Sequence, residues 1–155
     1  MKSEFVYVSY VKTTPEKLWH TLTTPEFIKK WWGGGIDIRS DWKVGSPWTM
    51  SYEDGRTADA GEILEINPPK RLVIKWRNES SRELKEEGFS RCAIELQQLD
   101  GAVKLTVTHG IDLQNSKFIE AVSGGWPLIL SNLKSLLETG EVVLKEITDS
   151  YGRSR

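Results

Sequence analysis

The chain has 155 residues, 38% of them hydrophobic and 28% charged. That length suits one hydrophobic core, and the balance excludes a disordered class. Its 21 Lys plus Arg nearly cancel 22 Asp plus Glu, so no global field favours a polyanion and nucleic acid is not an expected partner.

Cys92 is the only cysteine, which rules out an intramolecular disulfide scaffold. Glu4, Lys12 and Glu16 interrupt the start of the chain where a signal peptide needs an apolar run, and no later run reaches spanning length. A cytoplasmic protein without membrane insertion is therefore expected. The triplet Asn78-Glu79-Ser80 then reads as a chance match to a glycosylation signal.

Residues 4 to 12 are rich in β-branched and aromatic types and predict a first strand. Thr14-Pro15-Glu16 stops it with a capping hydroxyl, a proline suited to the first helical position and a carboxylate suited to the positive helix end. The same letters recur at Thr24-Pro25-Glu26, which predicts two short helices over 15 to 23 and 25 to 31. Trp31-Trp32 followed by Gly33-Gly34-Gly35 ends the second. These glycines follow a helix and lack a Gly-Lys-Ser/Thr ending, so they are no phosphate loop.

From 36 to 110 the pattern becomes an antiparallel meander, with strands expected at 36 to 42, 47 to 53, 56 to 66, 71 to 77, 89 to 99 and 102 to 109. Trp48, Met50 and Tyr52 share one face, as do Leu72, Ile74 and Trp76. The Asp100-Gly101 hairpin sets the register: Ile94 faces Val107, Leu96 faces Leu105, and Cys92 falls opposite His109 on the apolar side. In the strand over 56 to 66 two parities stay open. Either Glu62, Leu64 and Ile66 point inward, placing a carboxylate in the cavity, or Gly61, Ile63 and Glu65 do. Residues 78 to 88 read as a solvated loop tolerant of change.

The strongest helical period runs through Ile119, Val122, Trp126, Ile129, Leu130, Leu133, Leu136 and Leu137 and ends at Gly140. Gly124-Gly125 and Pro127 predict a kink or a restart within it, with space beneath the weak half. One domain over 1 to 140 is expected, followed by a frayed tail over 141 to 155. Val142, Val143, Leu144 and Ile147 in that tail suit either packing back or contact with a second subunit. The oligomeric state stays open.

These elements, with Thr24-Pro25-Glu26, Trp31-Trp32, Asp41 to Gly45, Gly61 to Leu72, and Gly125-Trp126 with Leu130 and Leu133, resemble the SRPBCC superfamily of helix-grip domains. Within it, they are most similar to the family of the activator of heat-shock-protein 90 ATPase. The resemblance implies an α+β helix-grip fold, a curved antiparallel sheet wrapped around the long C-terminal helix. It also implies a deep cavity that takes lipids, sterols, polyketides or other apolar molecules. Some relatives are cyclase-like or hydratase-like enzymes, and others contact the chaperone through their surface.

Trp48, Met50, Trp76, Cys92, His109, Trp126 and Leu130 are the expected ligand contacts. Seven tryptophans are present, and Trp31, Trp32 and Trp42 read as packing. Cys92 beside His109 resembles a nucleophile and base, yet no orienting residue accompanies them, so a buried thiol beside a hydrogen-bonded histidine is preferred. His20 and His109 are the only histidines, and neither metal spacing, a hydrolase elbow nor a dinucleotide fingerprint is present. No metal or cofactor is expected. Binding of a hydrophobic small molecule leads, ahead of chaperone stimulation and of enzymatic turnover.

Overall fold

The computed structural model describes residues 1–146. Strand β1 (Ser3–Val11) leads into helices α1 (Pro15–Thr23) and α2 (Pro25–Trp32). A six-stranded meander follows: β2 (Asp37–Ser40), β3 (Pro47–Ser51), β4 (Thr57–Asn67), β5 (Arg71–Asn78), β6 (Ser90–Leu99) and β7 (Ala102–Ile111). A five-residue helix α3 (Arg82–Glu86) interrupts it between β5 and β6, and α4 (Lys117–Thr139) completes the fold. β1 pairs with β7, so the seven-stranded antiparallel sheet runs β1-β7-β6-β5-β4-β3-β2. The architecture is α+β and of the helix-grip type.

Local chemistry explains the first elements. The Thr14 hydroxyl accepts from the Lys17 N–H at 3.2 Å and Pro15 opens α1. At the second Thr-Pro-Glu the hydroxyl of Thr24 turns instead to His20 Nδ1 at 3.2 Å, so α2 starts without a side-chain cap. Gly33, Gly34 and Gly35 all hold positive φ, which ends α2 directly after Trp32.

The hairpin register is as expected, with Leu99 on Ala102, Leu96 on Leu105, Ile94 on Val107 and Cys92 on His109. In β4 neither uniform parity holds. Gly61 pairs with Trp76 and Ile63 with Ile74, then a bulge at Leu64 shifts the phase so that Ile66 pairs with Leu72. Glu62 therefore lies on the wet face, 3.7 Å from Lys75 Nζ, and supplies no carboxylate to the interior. A second shift, between Met50 and Ser51, leaves Ala58 of β4 as the extra residue, and on β3 Trp48 and Met50 are buried while Tyr52, just past the strand, is partly buried against the core.

Helix α4 is one continuous helix despite Pro127, so the expected restart does not occur. Burial of Val122, Trp126, Ile129, Leu130 and Leu133 against the sheet exceeds the roughly 3 kcal/mol that an interior proline costs. Its N-terminus is held from a distance. Glu87 accepts from the Ser116 hydroxyl at 2.6 Å, the Lys117 N–H at 2.8 Å and the Phe118 N–H at 3.3 Å. The segment 78 to 88 is thus neither a plain loop nor freely tolerant. Asn78 is fully buried, Ser81 caps α3, and Glu87 anchors α4.

Gly140 takes the left-handed conformation at the end of α4. Beyond it, Asn132 Nδ2 donates to the Leu144 carbonyl at 2.9 Å while its Oδ1 accepts from the Leu144 N–H at 2.7 Å. Residues up to Leu144 are therefore clasped to the helix. Ile147 and the rest of the expected tail lie outside the described residues.

Candidate functional site

The inward faces of β3, β5, β6 and β7 meet α2 and α4 in an aromatic cluster built around Trp76. The meander brings Trp48 and Trp76 either side of Gly61 on β4, and with no side chain between them their rings close to 4.5 Å. Gly61 is required there, because a Cβ would sit 1.6 Å from the Lys75 carbonyl oxygen. From above, α2 delivers Trp32 and α4 delivers Trp126, which meet edge to face at 5.7 Å and lie 6.2 and 5.8 Å from Trp76.

A polar chain threads this cluster. The Trp126 indole N–H lies 3.1 Å from His109 Nδ1, and since an indole nitrogen only donates, Nδ1 is the acceptor. His109 is then neutral, with its proton on Nε2, directed at the Ser90 hydroxyl at 2.9 Å. Ser90 donates in turn to the Trp76 carbonyl at 2.8 Å. Complete burial, with no cation-stabilising partner, pushes the imidazole down to a pKa of about 3. On the far side of Trp76, its indole N–H donates to the fully buried Asp59 carboxylate at 2.6 Å.

Cys92 and His109 are cross-strand partners, both fully buried. Burial raises the thiol pKa above its ordinary value. Both imidazole nitrogens are engaged by Trp126 and Ser90, so His109 has no lone pair left to accept a proton from Cys92. The arrangement is a structural histidine beside an inert thiol, not a nucleophile and its base.

The remaining space lies on the other side of Trp126. A cavity of about 30 Å³ is lined by Trp31, Trp32, Trp42, Trp48, Trp76 and Trp126 together with aliphatic side chains from α1 and the sheet. Of the residues expected from the sequence, Trp48, Trp76 and Trp126 line it. Met50, Cys92, His109 and Leu130 are buried in the surrounding core, with His109 bonded to Trp126. Trp31, Trp32 and Trp42, read as packing, stand at the cavity. Instead of the deep space implied by the resemblance, the indoles occupy most of the room between helix and sheet.

Outside, an open depression of about 370 Å³ is bordered by Pro25, Arg39, Ser40, Asp41, Trp42 and Pro47. Trp42 is common to both spaces. It sits in the turn after β2 at φ 55°, a conformation unusual for a bulky residue. Ser40 Oγ accepts from the Trp42 N–H at 3.0 Å and meets Ser46 Oγ at 3.1 Å, while Ser46 bridges to both backbone groups of Lys43. This serine pair holds the strained turn and with it the indole between the two spaces.

Among the described residues, no group of three or more His, Cys, Asp or Glu side chains could hold a metal ion, and no helix is long and apolar enough to cross a membrane. Sequence reasoning missed Ser90 and Asp59. Both were in phase with inward residues, Ser90 with Cys92 and Asp59 with Gly61 and Ile63, but a polar side chain on an apolar row carries no mark of its partner.

Comparison with known proteins agrees with the fold. The crystal structure of MLL2253 from Mesorhizobium loti is 21% identical over 90% of this chain and all of its own, with a TM-score of 0.76. PFC0360w of Plasmodium falciparum, described as an HSP90 activator, is 25% identical over 86% of this chain and 95% of its own, at a TM-score of 0.70. The Aha1 dimer from Colwellia psychrerythraea is 22% identical over 89% of this chain and 98% of that one, at 0.72. No curated protein matches the chain. The family model described as Activator of Hsp90 ATPase homolog 1-like protein matches residues 12–138, most of the sequence, and the chain therefore belongs to that family and with it to the SRPBCC superfamily.

Proposed function

We propose that this protein binds an apolar or aromatic small molecule between sheet and C-terminal helix, admitted past Trp42. The observation that carries the reading is the shared position of Trp42, the side chain that borders both the aromatic interior and the open depression outside. The interior space of about 30 Å³ accommodates no more than water. With the indole swung out, the interior joins the depression, and the combined space reaches the roughly 300–1,000 Å³ of small-molecule sites. The interior walls are almost wholly apolar, so affinity there comes from burial and ring stacking, while the depression carries Arg39, Ser40 and Asp41 for a ligand's polar end. His109 and Cys92 are disarmed by burial and bonding, which favours binding over turnover.

Native mass spectrometry of gently purified protein, followed by a thermal-shift screen of lipids and aromatic compounds, tests the reading. Bound apolar ligands that raise the Tm and quench indole fluorescence are expected, with faster binding in Trp42→Ala. A screen with no binder and no effect of Trp42→Ala on accessibility would sink it. The family match and the Plasmodium relative support a second reading, stimulation of a heat-shock-protein 90 ATPase through the protein surface. Its test is the ATP turnover of that chaperone, and no change at saturating protein removes it.

A further inference from the structure

Helix α4 carries a weakness that its packing does not explain. Pro127 has no N–H for the Ser123 carbonyl, so one rung of the helix is missing beside Trp126. Gly124 lowers the helix propensity further, although a Cβ there would meet nothing within 4 Å. Neither a close approach nor a turn calls for that glycine. The backbone is therefore softest where it carries the one side chain that both lines the cavity and bonds His109.

That side chain is itself shaped like a ligand. The Trp126 indole is flat and apolar, stands edge to face with Trp32 and Trp76, and offers one N–H, which His109 Nδ1 accepts at 3.1 Å. The acceptor is fixed from behind. Ser90 gives its own proton to the Trp76 carbonyl at 2.8 Å, so it takes the Nε2 proton at 2.9 Å and leaves Nδ1 with a lone pair only. Among the described residues, the cavity next to Trp126 is lined by Leu, Ile and Trp side chains, none of which has an acceptor. Behind Trp126, Nδ1 supplies the acceptor that these walls lack.

On the reading that this protein binds an apolar or aromatic molecule, we propose that Trp126 is an internal plug that the ligand displaces. That ligand is a planar aromatic carrying one N–H or O–H, an indole or a phenol, which it donates to His109 Nδ1. When the indole swings aside on the weakened helix, its room joins the cavity of about 30 Å³, and Nδ1 needs a new donor. A donor ligand restores the bond. A ligand without one leaves a buried acceptor unpaired, which lowers its affinity about ten- to a hundredfold.

Matched probes read this preference: indole against 1-methylindole, and 2-naphthol against naphthalene, whose smaller size removes any steric bar. Calorimetry with the native chain should give the donor of each pair the tighter Kd by about tenfold or more. With isotope-labelled indole and imidazole nitrogens, the donor probes should shift the Trp126 N–H and His109 Nδ1 resonances and leave those of exposed His20 in place. Trp126→Phe keeps a ring but gives up the competing N–H, so indole and 2-naphthol should gain several-fold over the native chain and 1-methylindole should not. Equal affinity within both pairs would overturn the donor requirement and leave apolar binding standing. Binding that leaves the Trp126 and His109 resonances unmoved, or an equal gain for 1-methylindole in Trp126→Phe, would overturn the site. No binding by any of these probes overturns it as well, and the lipid screen then decides whether the wider binding reading also falls.

Discussion

His109 is the most informative single residue because its donor-only neighbour settles its protonation. With a folded pKa near 3 against the ordinary value of about 6.5, the unfolded chain binds a proton between those limits that the folded chain refuses. Stability from this group is therefore complete above pH 6.5 and falls as pH drops toward 3, by up to about 1.4 kcal/mol per pH unit for one proton. Denaturation midpoints measured at pH 7 and pH 5 should show the loss, and His109→Gln should flatten it. Cys92 should react slowly with thiol reagents at neutral pH in the folded state; rapid labelling would contradict its burial. At Gly61, Ala would force the β4 and β5 backbones apart, and a loss of about 2–4 kcal/mol in urea unfolding is expected.

Helix α4 depends on contacts remote in sequence. The Glu87 carboxylate takes up the Lys117 and Phe118 N–H groups and the capping hydroxyl of Ser116. It thereby places a negative charge at the positive end of the longest helix. Glu87→Ala should cost about 1–3 kcal/mol, and Glu87→Gln less, in thermal or urea unfolding. The boundaries of α1 and α2 were legible because Thr-Pro-Glu is local chemistry. Glu87 was not, because it sits in a polar run whose only distinction is a partner thirty residues away. Of the kink or restart expected at Pro127, the continuous helix excludes the restart, since the proline's cost is local and the burial that outweighs it is not.

Closure of the helix onto the sheet rests at one end on Glu87 and at the other on Glu138. The Lys12 N–H, and after it the Lys134 ammonium, hold the Glu138 carboxyl below its ordinary range. Its contribution is present above the ordinary carboxylate pKa and lost as pH falls through the lowered value. Glu138→Gln should therefore lower the Tm at pH 7 and have little effect at pH 3. The sequence by itself determined the order of the strands and of every helix but α3, the hairpin register and the inward rows of β6, β7 and α4, because period and turn chemistry act over a few residues. Only the tertiary structure decided three things: the phase change in β4, the polar chain through His109, and the reduction of the cavity to a space walled by indoles. Each depends on which side chains meet across separate elements, and no periodicity in one segment encodes the shape or donor of another.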